Sequence, residues 1–443
     1  MRPVNIFQVA DDARLTRFHA SIFVMCCCLI ISDGYDLAIA GIALPSIMSQ
    51  LYVTPTQAGF MLSSALFGMM FGAIVFGIIS DRVGRRLTMV LCLFLISLFS
   101  VAAGFAHDAL IFSGARFIAG IGIGGLMPIT VAQMAEYSPR NIRSTLVTLM
   151  FSGYSVGGVF AGLICKFLLV HFGWRTVFFA AGFPVFLIPV ILKMMPEAFS
   201  HLIRSRRDVE LQNLAQKLNS RFVAQSDDVF APPNDSPCER FTARELFRDG
   251  RKIGTLMIWV TFFMNLFIVY ALSSWLVKLM IISGHDLSTA VNFAMFLHVG
   301  AIVGNISGGF LADRLNARVV LVGMYLIMAA SVACLGLTLP VWALSFVVAI
   351  AGGATMGAQT LMYAFVGQFY PPSISATGLG CASGIGRGGA ISAPIVIGAL
   401  VGHAFPMSAN FLAIALPALI AAVAISLSGG RKREASICAQ RTA

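Results

Sequence analysis

Apolar residues run along this chain in blocks of about 20, and polar or charged residues collect in the breaks between them. Coiled into an α-helix, a block of that length spans the roughly 30 Å hydrocarbon core of a bilayer. Counting blocks between charged or Gly/Pro-rich breaks predicts twelve membrane-spanning helices, near 18–49, 56–80, 87–106, 109–136, 143–171, 175–195, 253–282, 288–312, 318–338, 341–369, 374–402 and 406–428. One long polar stretch, 196–252, separates six spans from six. Its first part, "HLIRSRRDVELQNLAQKL", has amphipathic helical spacing, and "SDDVFAPPNDSPCE" has the composition of a linker. "TARELF" begins with a capping-box pattern from Thr242 to Glu245. The predicted organisation is an all-α membrane protein: a six-helix bundle over 1–195, a linker loop over 196–252, a second bundle over 253–430 and a tail over 431–443.

Composition excludes an ordinary water-soluble protein. Of 443 residues, 58% are hydrophobic and 11% charged, against about 25% charged in a typical soluble domain. The net charge of +11 could suggest nucleic acid, but its distribution argues for membrane topology instead. Of 30 Lys and Arg, 25 fall on one side of the predicted bilayer; Arg116, Lys166, Arg175, Lys278 and Arg387 are the exceptions. That asymmetry follows the positive-inside rule and puts both termini in the cytoplasm. Nine cysteines show no metal-ligand spacing, and Cys26, Cys27 and Cys28 point three ways from one helix, as packing residues do. No cleavable leader, nucleotide-binding loop, catalytic triad or cofactor motif is visible; "GIGIGG" lies inside an apolar span, where close helix packing explains it.

The two halves repeat at a shift of 232 residues. Gly68, Gly72, Gly77, Asp81, Arg82 and Arg86 fall onto Gly300, Gly304, Gly309, Asp313, Arg314 and Arg318; Gly120, Pro139, Thr145 and Gly157 fall onto Gly352, Pro371, Thr377 and Gly389. One offset held without gaps over this length marks a duplication, and paired repeats with a midplane site are a transporter architecture.

Against this apolar background, "IISDGYDLAIAGIALP" carries Asp33 and Asp36 three residues apart on one helix face. An ionised carboxylate near a bilayer centre costs roughly 2.5–3.5 kcal/mol on insertion scales, so it marks a functional site or is paired. Low dielectric and a like-charged neighbour both favour the neutral acid, which would let a proton bind and leave. Gly34 between them is expected to loosen the backbone or admit substrate. Asp33 falls onto Asn265, so the acidic pair belongs to one half only. Arg116 needs an anion, either this pair or a substrate carboxylate, and arginine suits carboxylates through its planar fork. Arg387, in "GIGRGGA" of the opposite half, has flanking glycines that keep bulky neighbours away and leave its head open to an anion. Tyr35, Phe151, Tyr154, Phe267, Tyr270 and Tyr363 are aromatic residues within the spans, and of these Tyr35 and Tyr154 have polar or glycine-rich neighbours. Glu136 is expected to pair with Arg140, Arg143 or the "DRVGRR" loop, and His298 to be a packing residue rather than a relay.

"GIISDRVGRR", its weaker copy "GGFLADRLNAR" and "RFIAGIGIGG" resemble signature segments of the major facilitator superfamily. "DGYDLAIAGIALP" and "ATGLGCASGIGRGGAISAP" are similar to segments of its aromatic acid:proton symporters. The resemblance implies two pseudo-symmetric six-helix bundles and import of a small aromatic carboxylate (benzoate, hydroxybenzoate or protocatechuate) with protons, across a bacterial inner membrane. Charge accounting together with the resemblance assigns proton coupling to Asp33, Asp36 and Arg116, and substrate binding to Arg387, Tyr35, Tyr154 and Arg116. Gating falls to Asp81, Arg82, Arg85, Glu136, Arg140, Asp313 and Arg314. No cofactor, metal or nucleic acid is expected, and the chain is expected to act as a monomer. The rival readings are a carrier for another organic anion such as a muconate, a proton-driven efflux antiporter, and a sensor that binds without transporting. The second loop copy has Asn316 where the first has Gly84 and lacks the paired arginines.

Overall fold

The computed structural model describes residues 2–219, 228–230, 243–248 and 250–428. A short strand, β1 (Arg2–Val4), and helix α1 (Ile6–Asp11) precede the spans. The first five spans are α2 (Arg17–Leu51), α3 (Pro55–Val83), α4 (Arg85–Gly104), α5 (Ala109–Tyr137) and α6 (Arg143–Phe172). The sixth comprises α7 (Trp174–Ala180), a 3₁₀ turn (Phe183–Leu187) and α8 (Ile188–Met194). Helices α9 (Phe199–Arg204) and α10 (Asp208–Leu218) follow, then β2 (Asp228–Phe230). The remaining spans are α11 (Lys252–Ile282), α12 (Leu287–Arg314), α13 (Ala317–Cys334), α14 (Val341–Phe369), α15 (Pro372–Gly402) and α16 (Met407–Leu427).

Among the described residues, twelve segments are long and apolar enough to cross a membrane, at the twelve positions the apolar blocks predict. Local chemistry sets their ends. Thr54 and Gln57 close a capping box on α3, with Pro55 at its first position, where a missing N–H costs nothing. The Asp108 carboxylate accepts from the Ile111 amide at 2.8 Å and starts α5. Gly84, at φ +99°, is the whole connection between α3 and α4. The sixth span departs from a single helix: Pro184 and Pro189 lack the amide hydrogens that continuous α-helix requires.

Beside the helices lies one small parallel ribbon, in which β1 pairs with β2 and Arg2 lies opposite Asp228. The amphipathic stretch after Ala198 forms α9 and α10, and α10 buries Leu211, Ala215 and Leu218. Ala243–Phe247 forms a 3₁₀ turn. Thr242, the remainder of "SDDVFAPPNDSPCE" beyond β2, and the tail at 431–443 lie outside the described residues.

Two compact units result: Met1–Cys238 with Ser274–Met295, and Glu239–Ser273 with Phe296–Ala443. Each contains the repeat as packing. A Cβ at Gly68, Gly72, Gly120 or Gly157 would overlap the backbone carbonyl of Phe117, Ile121, Ala65 or Ile31, respectively. At the same offset, Gly300, Gly304, Gly352 and Gly389 meet the carbonyls of Ala349, Gly353, Leu297 and Phe263. Every one of these eight contacts maps onto its twin by adding 232 to both residues. Such close approach is how small residues hold membrane helices together where lipid offers no hydrophobic driving force.

Candidate functional site

In the N-terminal unit, four helices meet around one buried ion pair. Arg116 on α5 donates to the Asp36 carboxylate on α2 at 2.7 Å, and each residue is 1% exposed. The guanidinium also donates to the Asp36 backbone oxygen at 3.3 Å and to Ser100 Oγ on α4 at 3.4 Å. Ser100 in turn donates to the other Asp36 oxygen. The Phe178 ring of α7 lies 5.8 Å from the guanidinium carbon. Desolvating such a pair is costly, and it is tolerated only when hydrogen bonds satisfy the remaining atoms; Asp36 and Arg116 meet that condition. Asp33, one turn earlier, is equally buried.

The 232 shift puts Ile268, Val332 and Val348 where the N-terminal unit has Asp36, Ser100 and Arg116. All three are fully buried. The same register of the repeat thus accommodates buried aliphatic side chains in the other unit.

Gly34 has a different role from the expected one. A Cβ there would overlap the Tyr154 carbonyl oxygen, so this glycine permits α2 and α6 to cross. Tyr35 is buried, and its hydroxyl donates to the Val177 carbonyl of α7 at 3.1 Å. Tyr154 is half-buried at the α2–α6 crossing. The glycines of "GIGIGG" serve packing as expected: Gly120, Gly122 and Gly124 face the carbonyls of Ala65, Cys92 and Met69.

At the other end of α5, Glu136 pairs with Arg85 of the "DRVGRR" loop and accepts the Phe199 amide. Arg143 pairs instead with Asp11, and the exposed Arg140 donates its backbone amide to the Asp11 carbonyl at 3.1 Å. Asp81 and Arg82 are exposed, and the Asp81 carbonyl accepts from Arg204 at 3.0 Å. Sequence reasoning passed over Glu197. Its carboxylate accepts the amides of Arg85 at 2.6 Å, Arg86 at 3.2 Å and Ala198 at 3.0 Å, placing an anion on the N-terminus of α4. The Glu197 backbone oxygen accepts from Tyr137 at 2.6 Å. One signal was available: Gly84 offers α4 no side-chain cap, so an acceptor has to come from elsewhere. Glu197→Ala leaves one buried and two part-buried amides without their acceptor, at a cost of roughly 1–3 kcal/mol. Thermal unfolding of the purified protein should therefore shift several degrees downward.

In the C-terminal unit, Arg387 on α15 is half-buried and makes no ion pair or hydrogen bond among the described residues. Its flanking glycines do not simply clear space around it. Gly386 faces Phe262 and Leu266, and Gly389 faces the Phe263 carbonyl, so they seat α15 against α11. Asn265 on α11 donates to Gln359 on α14, and Gln359 donates to the Tyr363 hydroxyl at 3.3 Å. His298 is buried in a small cavity with Ser273 and Thr355, its Nδ1 without a partner among the described residues. Arg314 is exposed and stacks over Phe310 at 4.3 Å; the Asp313 side chain lies outside the described residues. Among those residues, no cluster of three or more metal-ligating side chains occurs.

The family model of the Major Facilitator Superfamily matches residues 26–308 and 293–437. The chain belongs to the major facilitator superfamily. It is 39% identical over 437 residues to a benzoate transport protein of Acinetobacter baylyi, covering 97% of this chain and 94% of that one. It is 32% identical over 418 residues to a 4-hydroxybenzoate transporter of Pseudomonas aeruginosa, covering 94% and 93%. Among solved structures, the partially occluded inward-open xylose transporter of Escherichia coli superposes with a TM-score of 0.71 at 17% identity, covering 92% of this chain and 97% of that one. That likeness establishes the superfamily fold. The chain is therefore a multi-pass membrane transporter and not an enzyme.

Proposed function

We propose that this transporter imports a small aromatic carboxylate together with protons, by alternating access, across a bacterial inner membrane with both termini in the cytoplasm. The relatives named for benzoate and 4-hydroxybenzoate transport support the substrate class. The observation that carries the reading is the contrast between two intramembrane arginines. Arg116 is neutralised by Asp36 at 2.7 Å, whereas Arg387 has no anion among the described residues. A cation held in a membrane span without a partner is poised for a diffusible anion, and a planar guanidinium matches a carboxylate. In the cycle, a proton reaches Asp33 or Asp36 from the outer side and weakens the hold on Arg116. Substrate binds as the anion at Arg387, and the higher cytoplasmic pH withdraws the proton after the inward transition. Asp81, Arg82, Arg85, Glu136, Arg140, Asp313 and Arg314 act in gating, with Tyr35 and Tyr154 beside the substrate.

The test is uptake of radiolabelled benzoate and hydroxybenzoates into proteoliposomes under an imposed inward proton gradient. Accumulation that collapses on adding an uncoupler is expected. Arg387→Gln should reduce it about 100-fold, the loss of a charge-assisted bidentate contact worth roughly 3 kcal/mol. Efflux alone, indifference to the uncoupler, or binding without accumulation would overturn the reading.

A further inference from the structure

The C-terminal unit has an unmet hydrogen bond on α11, the helix against which the glycines flanking its unpaired cation pack. Asn265 is 2% exposed, and its Oδ1 is buried with no partner among the described residues. Its amide nitrogen is committed to Gln359, and Gln359 to Tyr363 one turn further along α14. A buried acceptor without a donor costs roughly 1–3 kcal/mol, so such a group calls for an explanation. The fold does not supply one. Under the 232 shift, Gln359 and Tyr363 fall onto Met127 and Val131, so the N-terminal unit has no such chain.

The surroundings suit an aromatic guest. Phe262 meets the Tyr363 ring edge-on, with centroids 5.5 Å apart, and walls one side of the polar chain. The same turn of α11, through Phe262, Phe263 and Leu266, receives the glycines on either side of Arg387. A cation, aromatic rings and an unsatisfied amide thus stand on three adjoining helices of one unit.

We propose that Asn265, oriented by Gln359 and Tyr363, reads a ring hydroxyl, so that the transporter takes a hydroxylated benzoate in preference to benzoate. The assignment rests on the aromatic-carboxylate function proposed above. A phenolic hydroxyl both donates and accepts, so it completes the chain whichever way the two amides are turned. The bare ring edge of benzoate leaves Asn265 unmet. A site built around a buried polar group rejects the analogue lacking its partner far more strongly than an apolar slot rejects an added hydroxyl.

The experiment measures uptake kinetics of benzoate and of the three monohydroxybenzoates in wild type, Asn265→Leu and Gln359→Met. Wild type should favour at least one hydroxy isomer over benzoate by about tenfold in kcat/KM. Asn265→Leu should erase that preference, bringing the kcat/KM of the favoured isomer down to that of benzoate in the same variant. Gln359→Met should erode the preference by a smaller factor. Benzoate uptake in the same variant reports folding; if Asn265→Leu moves neither acid, the preference is read from Gln359→Met. A wild type without preference, or an unchanged preference in whichever variant still moves benzoate, overturns the assignment. If wild type moves none of the four acids, the proposed function itself falls, which is a separate result.

Discussion

Asp36→Asn abolishes proton-driven accumulation and leaves a less stable protein; that is the expected outcome of removing one half of the buried pair. Arg116 would keep a full charge at 1% exposure and lose the carboxylate it now pairs with. Breaking a buried pair in this way costs roughly 3–5 kcal/mol. Substrate exchange at equal concentrations on both sides should survive in part, because it does not require the proton to be released. Comparison of exchange with net uptake therefore separates coupling from collapse. A stronger control comes from the repeat. The triple variant Asp36→Ile, Ser100→Val, Arg116→Val installs the residues that Ile268, Val332 and Val348 already place at that register. It should reach the membrane at near wild-type levels and unfold no earlier than wild type, while accumulating nothing. Normal, gradient-dependent accumulation by Asp36→Asn and by Asp33→Asn, each tested alone, would remove the acidic pair from the mechanism.

The second large effect is structural. Gly72→Leu should eliminate folded protein, whereas Gly77→Leu, one and a half turns along the same helix, should be tolerated. A Cβ at Gly72 would overlap the Ile121 carbonyl, while at Gly77 nothing lies within 4 Å. Ordinary overpacking costs about 1–3 kcal/mol because side chains can shift. Here the obstacle is backbone, so α3 and α5 would have to separate along their length. Gly304→Leu, the twin position against Gly353, should fail in the same way. Membrane abundance and monodispersity in detergent give the readout. Equal abundance of the Gly72 and Gly77 variants would mean that these glycines do not set the helix spacing.

The spans were legible because a bilayer leaves few choices: about 20 apolar residues must coil into a helix to satisfy their own backbone. The repeat was legible because close-packing glycines recur at one offset, and the structure shows what each glycine meets. The residues in the first span and Arg116 stood out as charges in apolar sequence, and the structure brings Asp36 and Arg116 together. Partner choice was less legible. Glu136 had three possible partners in the sequence, and tertiary distance selects Arg85. Glu197 reaches across more than a hundred residues to cap α4, which no local pattern encodes. Gly34 was misread because a glycine between two acids looks chemical, whereas its neighbour across the crossing, Tyr154, is visible only in three dimensions. Asn265 looked like a mere absence of acid until its unmet oxygen and the Gln359 bond came into view.

Gly84 also bears on how the chain enters the bilayer. With a single residue joining Val83 to Arg85, neither α3 nor α4 has slack to settle alone. Joint insertion as a hairpin is the expected consequence: lengthening that junction should uncouple their partitioning and slow biogenesis even where the finished transporter is unchanged.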